Sequence, residues 1–279
     1  MSQKDIGNKI PIYKLKAGKE VEDYYDEWTV ENKYDKDMVD WKYSGPQETV
    51  DLFTKNITNK DIKILDAGCG TGLVGIELKK NGFKNFDGAD FSQKMLDLIP
   101  ENIYQNLFKI DLNKKVDIKD DAYDGITCVG TFTFGHVNPP ALDEMVRICK
   151  TGSFICFTIN LGIYEEYGFD KKIKELEDKN SWKIIEFLKS NYIASKGVNA
   201  WLVWAQSTKW KIMDINLRKF TKFVDKTFIE GGKKAKEPVL LVSVAAVFKN
   251  PWHGQGFVED LSPIISDLAP KLGDLLVPD

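Results

Sequence analysis

A short apolar strand that runs directly into alternating glycines is the feature that most constrains how this chain can fold. The stretch over residues 63–73 reads KILDAGCGTGL, with glycines at 68, 70 and 72. Glycines at these positions leave one face of the turn without Cβ atoms, so a ligand can lie against the backbone. Apolar side chains at helical spacing follow, and the helix that they predict aims its N-terminus at that ligand. The stretch is typical of a loop that binds a nucleotide cofactor.

The spacing of the glycines distinguishes two kinds of nucleotide loop. The dinucleotide fingerprint G-x-G-x-x-G requires a third glycine at position 73, where this chain has Leu73. The spacing is G-x-G-x-G instead. It argues against a nicotinamide-dependent oxidoreductase, which stays as a minor alternative.

Three predicted strands end in or near a carboxylate. Asp66 ends the strand before the glycines, and Asp90 ends a strand over 85–90. Asp111 lies near the end of a strand over 106–112. Asp90 follows the loop by about 20 residues, the distance at which a doubly wound fold places the acid that binds a ribose diol. The order of elements predicts an α/β fold with helices on both faces of a parallel sheet.

The exit of a fourth predicted strand, over 125–130, is the expected reactive edge. Open α/β sheets bind ligands just beyond the carboxyl ends of their strands, and His136 lies there. It is the candidate general base, because the ordinary pKa of histidine, about 6.5, suits that role. The alternative is a loop histidine hydrogen-bonded to the backbone. A helix from Pro140 to Gly152 and a strand over 154–159 are predicted to follow.

The acid at 66 followed by alternating glycines resembles motif I of the class I S-adenosylmethionine-dependent methyltransferases. Tyr34-Asp35 is similar to a pair that covers the methionine end of the cofactor in many members. With Gly135-His136-Val137 and the strand-end acids, residues 20–160 most resemble the Williams-Beuren syndrome region methyltransferase-like group. The resemblance implies a Rossmann-like seven-stranded, mostly parallel sheet with helices on both faces.

The resemblance also implies which residues hold S-adenosyl-L-methionine. Asp111 would accept a hydrogen bond from the adenine amino group, and the backbone amide of Leu112 would donate one to the ring. Phe91 either stacks on adenine or is a half-buried ring at a strand end. No metal is predicted, because the four cysteines lack paired spacing. The full predicted cofactor set is Tyr34, Asp66, Gly68, Cys69, Gly70, Gly72, Asp90, Phe91, Asp111, Leu112 and Gly130.

Residues 1–45 are polar but interrupted by aromatic rings. Val21, Tyr24, Tyr25 and Trp28 share one face of a helix, which predicts a packing stripe. The alternative is a lid, because aromatic faces attract a cation such as sulfonium by roughly 0.5–2 kcal/mol. We predict this segment as an N-terminal helical lid, followed by a helix beginning near Pro46.

The second half of the chain is harder to assign. Residues 164–189 predict a helix and the start of a late strand, and the valine-rich segment 239–248 predicts strand seven. Strand six is either 182–187 or 220–228. The predicted domains are the lid, a methyltransferase domain over 46–250 with a cap insertion near 190–236, and a C-terminal tail over 251–279 with a short helix.

Composition limits the partners. A net charge of −3 supplies no cationic field for nucleic acid. Tryptophans and lysines between 201 and 226 could bind a single strand, but a cap over the substrate pocket is favoured. The polar start and the absence of a long apolar run predict no membrane contact and a cytoplasmic location.

The predicted function is methyl transfer from S-adenosyl-L-methionine to an oxygen, nitrogen or sulfur atom of a small-molecule substrate. The main alternative is a catalytically silent methyltransferase-like binding or regulatory protein. The acids and glycines of the loop are all present, which argues against that alternative.

Overall fold

A computed structural model of the chain describes residues 10–16 and 18–209. The chain divides into two units, Met1–Lys211 and Ile212–Asp279. The second unit lies outside the described residues. So do the predicted strand seven over 239–248, the alternative strand six over 220–228 and the predicted tail over 251–279.

A seven-stranded sheet forms the centre of the described unit, in the order β3-β2-β1-β4-β5-β7-β6. β7 is antiparallel to both of its neighbours, and the pairs among β1 to β5 are parallel. The predicted class I architecture, a mostly parallel sheet in an α/β fold, is confirmed. The strands are β1 (Ile64–Ala67), β2 (Phe86–Asp90), β3 (Leu107–Lys109), β4 (Tyr123–Phe132), β5 (Cys149–Asn160), β6 (Trp182–Ile193) and β7 (Val198–Ser207).

The described helices begin and end where local chemistry favours it. Pro46 lies in the first turn of α3, where its missing N–H costs nothing. The Ser92 side chain accepts a hydrogen bond from the Met95 amide and caps α5. The helices are α1 (Lys19–Trp28), α2 (Lys33–Asp40), α3 (Gly45–Asn56), α4 (Leu73–Lys80), α5 (Gln93–Asp97), α6 (Ala141–Ile148) and α7 (Phe169–Asp178). Short 3-10 turns occupy Pro11–Lys14, Val30–Asn32 and Ala194–Lys196.

Both faces of the sheet are buried, because side chains alternate along each strand. Phe157 and Val203 lie in the same apolar cluster as residues of α6 and α7. Their neighbours Cys156 and Trp204 lie in the opposite cluster, with residues of α3 and α4. This double burial explains why the central strands are apolar throughout.

Two predicted boundaries are wrong. β3 is shorter than the predicted 106–112, because it is an edge strand whose ladder with β2 ends at the pair Asp90 and Lys109. The helix α6 ends at Ile148 instead of Gly152. Cys149 is already extended and pairs with Tyr123, so strand pairing takes over three residues before the glycine.

The end of the sheet corrects the prediction for the second half. The first of the two predicted positions for strand six, residues 182–187, is correct, although β6 continues to Ile193. Among the described residues the seventh strand of the sheet is β7, and residues 190–207 of the predicted cap insertion are strand and turn. Trp204 is buried against the rings of Phe53 and Phe154, each 4.9 Å away, so it serves neither a cap nor a nucleic-acid surface. The remainder of that predicted insertion lies outside the described residues.

Within residues 10–16 and 18–209, no helix is long and apolar enough to cross a bilayer.

Candidate functional site

The glycine loop connects β1 to α4 at the carboxyl edge of the sheet. Gly68, Gly70 and Gly72 have φ values of +77°, +53° and +91°, which side chains with a Cβ rarely adopt. A Cβ at Gly68 would overlap the Thr131 hydroxyl, whereas a Cβ at Gly70 would meet no atom within 4 Å. Gly68 is therefore required by packing, and the backbone at Gly70 borders open space that a ligand can use.

Asp66 lies beneath this loop, fully buried. Its carboxyl accepts hydrogen bonds from the Tyr104 hydroxyl at 2.6 Å and from the Thr127 hydroxyl at 2.9 Å. Burial raises the pKa of this carboxyl to about 7, although the two hydrogen bonds act in the opposite direction. The Tyr104 hydroxyl also accepts from the Gly75 amide, so Asp66 ties β1 to β4 and, through Tyr104, to α4. Both of its oxygens are bound by the protein.

Asp90 lies beside the loop at the end of β2. One carboxylate oxygen accepts from the Gly70 amide at 2.8 Å, and the other accepts from the Ser92 amide at 2.9 Å. Burial raises the pKa of this carboxyl, against those backbone donors. Each oxygen keeps a second lone pair, so the side chain is oriented but still able to accept from a ligand. Phe91 is a half-buried ring next to it.

Asp111 and Leu112 follow β3, the strand next to β2. The Asp111 carboxylate accepts from the Asn113 amide at 3.0 Å and pairs with Lys114 at 3.1 Å. Leu112 is buried in the apolar core. The parallel pairing of β2 and β3 therefore brings the acids at 90 and 111 to the same edge of the sheet.

Cys69, the remaining loop residue of the predicted cofactor set, has a buried side chain, and burial raises its thiol pKa well above the ordinary value. The four cysteines are all free and buried. Across the described ranges, no three histidine, cysteine or acidic side chains cluster as metal ligands do.

The N-terminal segment, residues 10–43, contacts the elements that border the loop. Asp35 accepts a hydrogen bond from the hydroxyl of loop residue Thr71 at 2.6 Å. Asp26 accepts from the hydroxyl of Ser92 at 2.9 Å, which joins α1 to α5. Lys109 on β3 donates to Glu22 at 2.8 Å. These three polar contacts hold α1 and α2 against the carboxyl edge of the sheet.

A small aromatic cavity, the lid cavity, lies between this segment and the exit of β4. Its volume is about 40 Å³. Gly130 and Thr133 line it from β4 and its exit, and Tyr192 from β6. A Cβ at Gly130, where φ is +74°, would lie 2.5 Å from the Tyr43 hydroxyl. The aromatic side chains that the segment contributes are Tyr13, Tyr25, Trp28, Tyr34, Trp41 and Tyr43.

The lid cavity carries no ionised side chain among the described residues. Its titratable groups are tyrosines, and burial raises the pKa of each. Tyr34 packs edge-on against Tyr25 and Trp28, with ring centroids 6.1 and 5.1 Å apart. The cavity therefore offers aromatic surface and neutral hydroxyls.

His136 lies behind one wall of this cavity. Its Nδ1 is 2.6 Å from the carbonyl oxygen of Phe134, and its Nε2 is 2.9 Å from the Tyr25 hydroxyl. Because a carbonyl only accepts, Nδ1 carries the hydrogen and Nε2 accepts from Tyr25. Burial lowers the pKa of His136 to about 4. The residue predicted as a base thus reaches the cavity only through Tyr25.

Several residues of this region escaped the sequence analysis. Tyr104 lies in an irregular stretch that carries no pattern, and Tyr25 was assigned to a packing face or a lid without any partner at His136. Asn160, at the end of β5, is a polar residue closing an apolar strand, which is the signal that identified Asp90. Its amide nitrogen donates to the hydroxyls of Thr133 at 3.1 Å and Tyr192 at 3.4 Å.

Two family models match the chain. Residues 64–152 match the model of a methyltransferase domain. Residues 217–279, outside the described ranges, match a model whose description is amino acid synthesis.

Three relatives from known proteins are similar to part of this chain. Human methyltransferase-like protein 27 is 29% identical over 168 residues, which cover 57% of this chain and 67% of the relative. A ribosomal protein L11 methyltransferase of Thermotoga neapolitana is 22% identical over 135 residues, 48% of this chain and 49% of the relative. A putative protein N5-glutamine methyltransferase of Methanocaldococcus jannaschii is 28% identical over 157 residues, 54% of this chain and 74% of the relative. The chain thus spans only about half the length of the Thermotoga relative.

A solved structure shows the same fold. It is a complex between the Haloferax volcanii Trm112 methyltransferase activator and a methyltransferase described as putative. The similarity has a TM-score of 0.50 at 16% identity, and it covers 66% of this chain and 98% of the solved one.

These comparisons correct the predicted partner. A small-molecule substrate was expected from the sequence, but the two relatives whose names state an acceptor are named for proteins. The solved complex likewise joins its methyltransferase to another protein. The small-molecule prediction is wrong on these findings. The prediction failed because the net charge was the only sequence cue to the class of partner. It argues against nucleic acid but carries no information about protein partners.

The sheet order, the alternating-glycine loop and the matched domain all agree. The described fold is that of the class I S-adenosylmethionine-dependent methyltransferases, and residues 64–152 match a methyltransferase domain.

Proposed function

We propose that the chain binds S-adenosyl-L-methionine against the loop of residues 68–72 and transfers its methyl group to a side chain of a protein. The observation that carries this proposal is the backbone at Gly70. Its φ is positive, its missing Cβ borders open space, and its amide is held by the carboxylate of Asp90. That is a cradle in which a ligand meets backbone and an oriented acid together.

The described residues fit this cofactor at both ends of its nucleoside. Asp90 has lone pairs for the ribose hydroxyls, and Asp111 with the Leu112 amide would hold the adenine edge at the neighbouring strand. Asp66 supports the loop from below and contributes indirectly, since its oxygens are engaged by Tyr104 and Thr127. Phe91, half-buried beside Asp90, would pack on the nucleoside.

The methionine end would lie toward the N-terminal segment. Tyr34 lines the lid cavity, and its neighbour Asp35 is bonded to the loop through Thr71. Aromatic faces attract a sulfonium by roughly 0.5–2 kcal/mol. The bound cofactor supplies an activated methyl group, and the protein supplies positioning, which can contribute about 7–11 kcal/mol.

Two observations support a protein acceptor. The relatives with a stated acceptor are named for proteins. The lid cavity, at about 40 Å³, is about three times the ~10–15 Å³ that is needed to hold one water molecule. It admits the end of a side chain while the rest of the acceptor stays outside, which suits a group carried on a larger chain.

Cofactor binding is tested by calorimetric titration with S-adenosylmethionine, S-adenosylhomocysteine and NAD. We expect the first two to bind and NAD not to. Asp90→Ala should weaken binding by about 10- to 150-fold, because hydrogen bonds to a charged acceptor contribute about 1.5–3 kcal/mol. The matched control is Asp97→Ala, an exposed acid on α5, which should bind as the unaltered protein does. Equal affinities in both variants would reject the ribose assignment.

The acceptor is tested with methyl-tritiated S-adenosylmethionine and a cell protein extract freed of nucleic acid by nuclease. We expect label that precipitates with protein and is released by protease. A second sample uses an extract from which nucleic acid has not been removed. Label that survives protease in that sample but is lost on nuclease treatment would overturn the protein acceptor. Cofactor binding without any transfer would favour the silent regulatory alternative.

A further inference from the structure

We propose that the lid cavity binds an uncharged carboxamide side chain as the methyl acceptor, and that Tyr25 passes the acceptor's proton to His136. This inference rests on the proposed function and concerns the same site. Tyr25 would touch the acceptor, and His136 would act through Tyr25. The evidence comes from the two ends of the cavity and from its lack of charge.

The first end of the cavity is a directed hydrogen-bond chain. Tyr25 lines the cavity, and its hydroxyl lies 2.9 Å from Nε2 of His136. The Phe134 carbonyl, 2.6 Å from Nδ1, fixes the tautomer so that Nε2 holds a free electron pair. The Tyr25 oxygen can accept a hydrogen from a ligand while its own hydrogen points at Nε2. The chain is therefore arranged to move a proton out of the cavity.

The second end is a cluster of three hydroxyls with one hydrogen to spare. The side-chain oxygen of Asn160 accepts from the Gly162 amide at 2.8 Å, so its nitrogen must face Thr133 and Tyr192 and donate to both. The Tyr13 hydroxyl contacts both of those hydroxyls. Three hydroxyl hydrogens are thus available for two contacts within the cluster. One hydrogen remains for a ligand, and it needs an acceptor.

The absence of charge around the cavity selects against ionised acceptors. The described residues that line it include neither a carboxylate nor a lysine or arginine, and burial keeps its tyrosines protonated. Among acids, Asp90 on β2 contributes most to raising the pKa of Tyr25 and Tyr34, after burial. A carboxylate entering here would lose its hydration without an ion partner, which is costly. A lysine ammonium is attracted by the aromatic faces, but it has no free electron pair with which to attack the methyl group. An uncharged group avoids both difficulties.

A carboxamide satisfies both ends at once. Its carbonyl oxygen accepts the spare hydroxyl hydrogen, and its nitrogen donates to the Tyr25 oxygen. A hydroxyl acceptor has a single heavy atom for both contacts and for the incoming methyl group. The carboxamide places the two contacts on separate atoms, oxygen and nitrogen, and its size suits a cavity of about 40 Å³.

The proton balance fits the same assignment. The amide nitrogen forms its bond to the methyl carbon as the bond between methyl and sulfur breaks, and the sulfur keeps the electron pair. The surplus hydrogen on nitrogen moves to the Tyr25 oxygen, while the Tyr25 hydrogen moves to Nε2 of His136. A protonated amide is a far stronger acid than imidazolium, so a weakly basic His136 suffices. A methylated ammonium is a weaker acid than imidazolium and would keep its proton.

The relay is tested with Tyr25→Phe, which keeps the ring and removes the hydroxyl. We expect kcat for protein labelling to fall by about 100-fold, the lower range of general acid–base catalysis, while affinity for S-adenosylhomocysteine stays within about twofold. The control is Tyr24→Phe on the same helix, whose hydroxyl has no hydrogen bond in the described region; its kcat should not change. In ¹⁵N NMR of the unligated protein, the Nε2 signal of His136 should shift in Tyr25→Phe and stay in Tyr24→Phe. Unchanged kcat or an unmoved Nε2 signal would overturn the relay.

The acceptor chemistry is tested by hydrolysing the labelled protein in strong acid. An N-methylated carboxamide releases its label as methylamine, which is the expected result. Label recovered as a methylated amino acid, or released as methanol by mild base, would overturn the carboxamide assignment while leaving the proposed function intact. A complete lack of protease-sensitive label would instead defeat the proposed function.

Discussion

Replacement of Gly70 by alanine separates the role of the loop in binding from its role in folding. Gly70 has a φ of +53°, and a Cβ there would meet no protein atom within 4 Å. The only cost to the folded chain is then the backbone conformation, about 1–2 kcal/mol for a residue with a Cβ. For a domain of this size, such a loss lowers Tm by roughly 2–8 °C. The protein should remain folded.

The binding cost should be larger than the folding cost. A ligand lying on this backbone would have to move away from the new methyl group and lose hydrogen bonds to the loop. Each such bond to a charged group contributes about 1.5–3 kcal/mol, so we expect the affinity for S-adenosylhomocysteine to fall by at least about 10-fold. Isothermal titration and thermal melting measure the two effects on the same sample.

The matched control is Gly82→Ala, at the end of α4. Gly82 has a φ of +86° and likewise has open space where a Cβ would be, but it lies at the opposite end of α4 from the loop. Its loss of Tm should be similar, and its affinity should equal that of the unaltered protein. If Gly70→Ala binds as tightly as Gly82→Ala, the ligand does not approach the loop backbone and the cradle has been misassigned.

Three further predictions concern the supports of the site. Burial raises the pKa of Asp66 to about 7 in the folded protein, so the unfolded chain releases this proton at lower pH, and the residue removes roughly 4 kcal/mol of stability as pH rises from about 4 to 7. In urea titrations, the unfolding free energy of Asp66→Asn should therefore rise relative to that of the unaltered chain between these pH values. A constant difference between the two unfolding free energies would refute the raised pKa. Tyr104→Phe leaves the Gly75 amide and one Asp66 oxygen without their partner, so unfolding free energy should fall by about 1–3 kcal/mol, and no loss in the same titration would show that neither group needs it. Asp35→Ala should speed release of S-adenosylhomocysteine in stopped flow by about fivefold, the equivalent of one hydrogen bond of about 1 kcal/mol, whereas the exposed Asp40→Ala should not.

The parts of the fold that sequence predicts well are those where each residue has one local reason. The loop glycines have positive φ, Asp90 ends β2, and Asp66 lies one residue before the end of β1, so pattern and structure nearly coincide. The limits of α6 and β5 were wrong because pairing of Cys149 with Tyr123, a contact between distant residues, ends the helix before its glycine. Local signals cannot report such a contact.

The missed strand shows a second limit. Residues 198–207 contain two tryptophans near several lysines, and composition alone favoured an exposed cap. In the structure the chain turns at Gly197, which has a φ of +66°, and pairs with β5 as well as β6. That pairing buries Trp204, whereas a surface interpretation requires it exposed. The relation of Tyr25 to His136 was equally hidden, because it joins residues on α1 and on the exit of β4.

The contacts of the N-terminal segment are expected to limit the rate at which the product of the cofactor leaves the site. Glu22, Asp26 and Asp35 are bonded to β3, α5 and the loop, which are the elements that would surround a nucleoside. If the cofactor lies as proposed, spent cofactor leaves after these bonds break and the segment lifts, and we expect that step to be slower than methyl transfer. Rapid mixing should reveal a burst of about one methyl group per chain, followed by a slower steady phase paced by release.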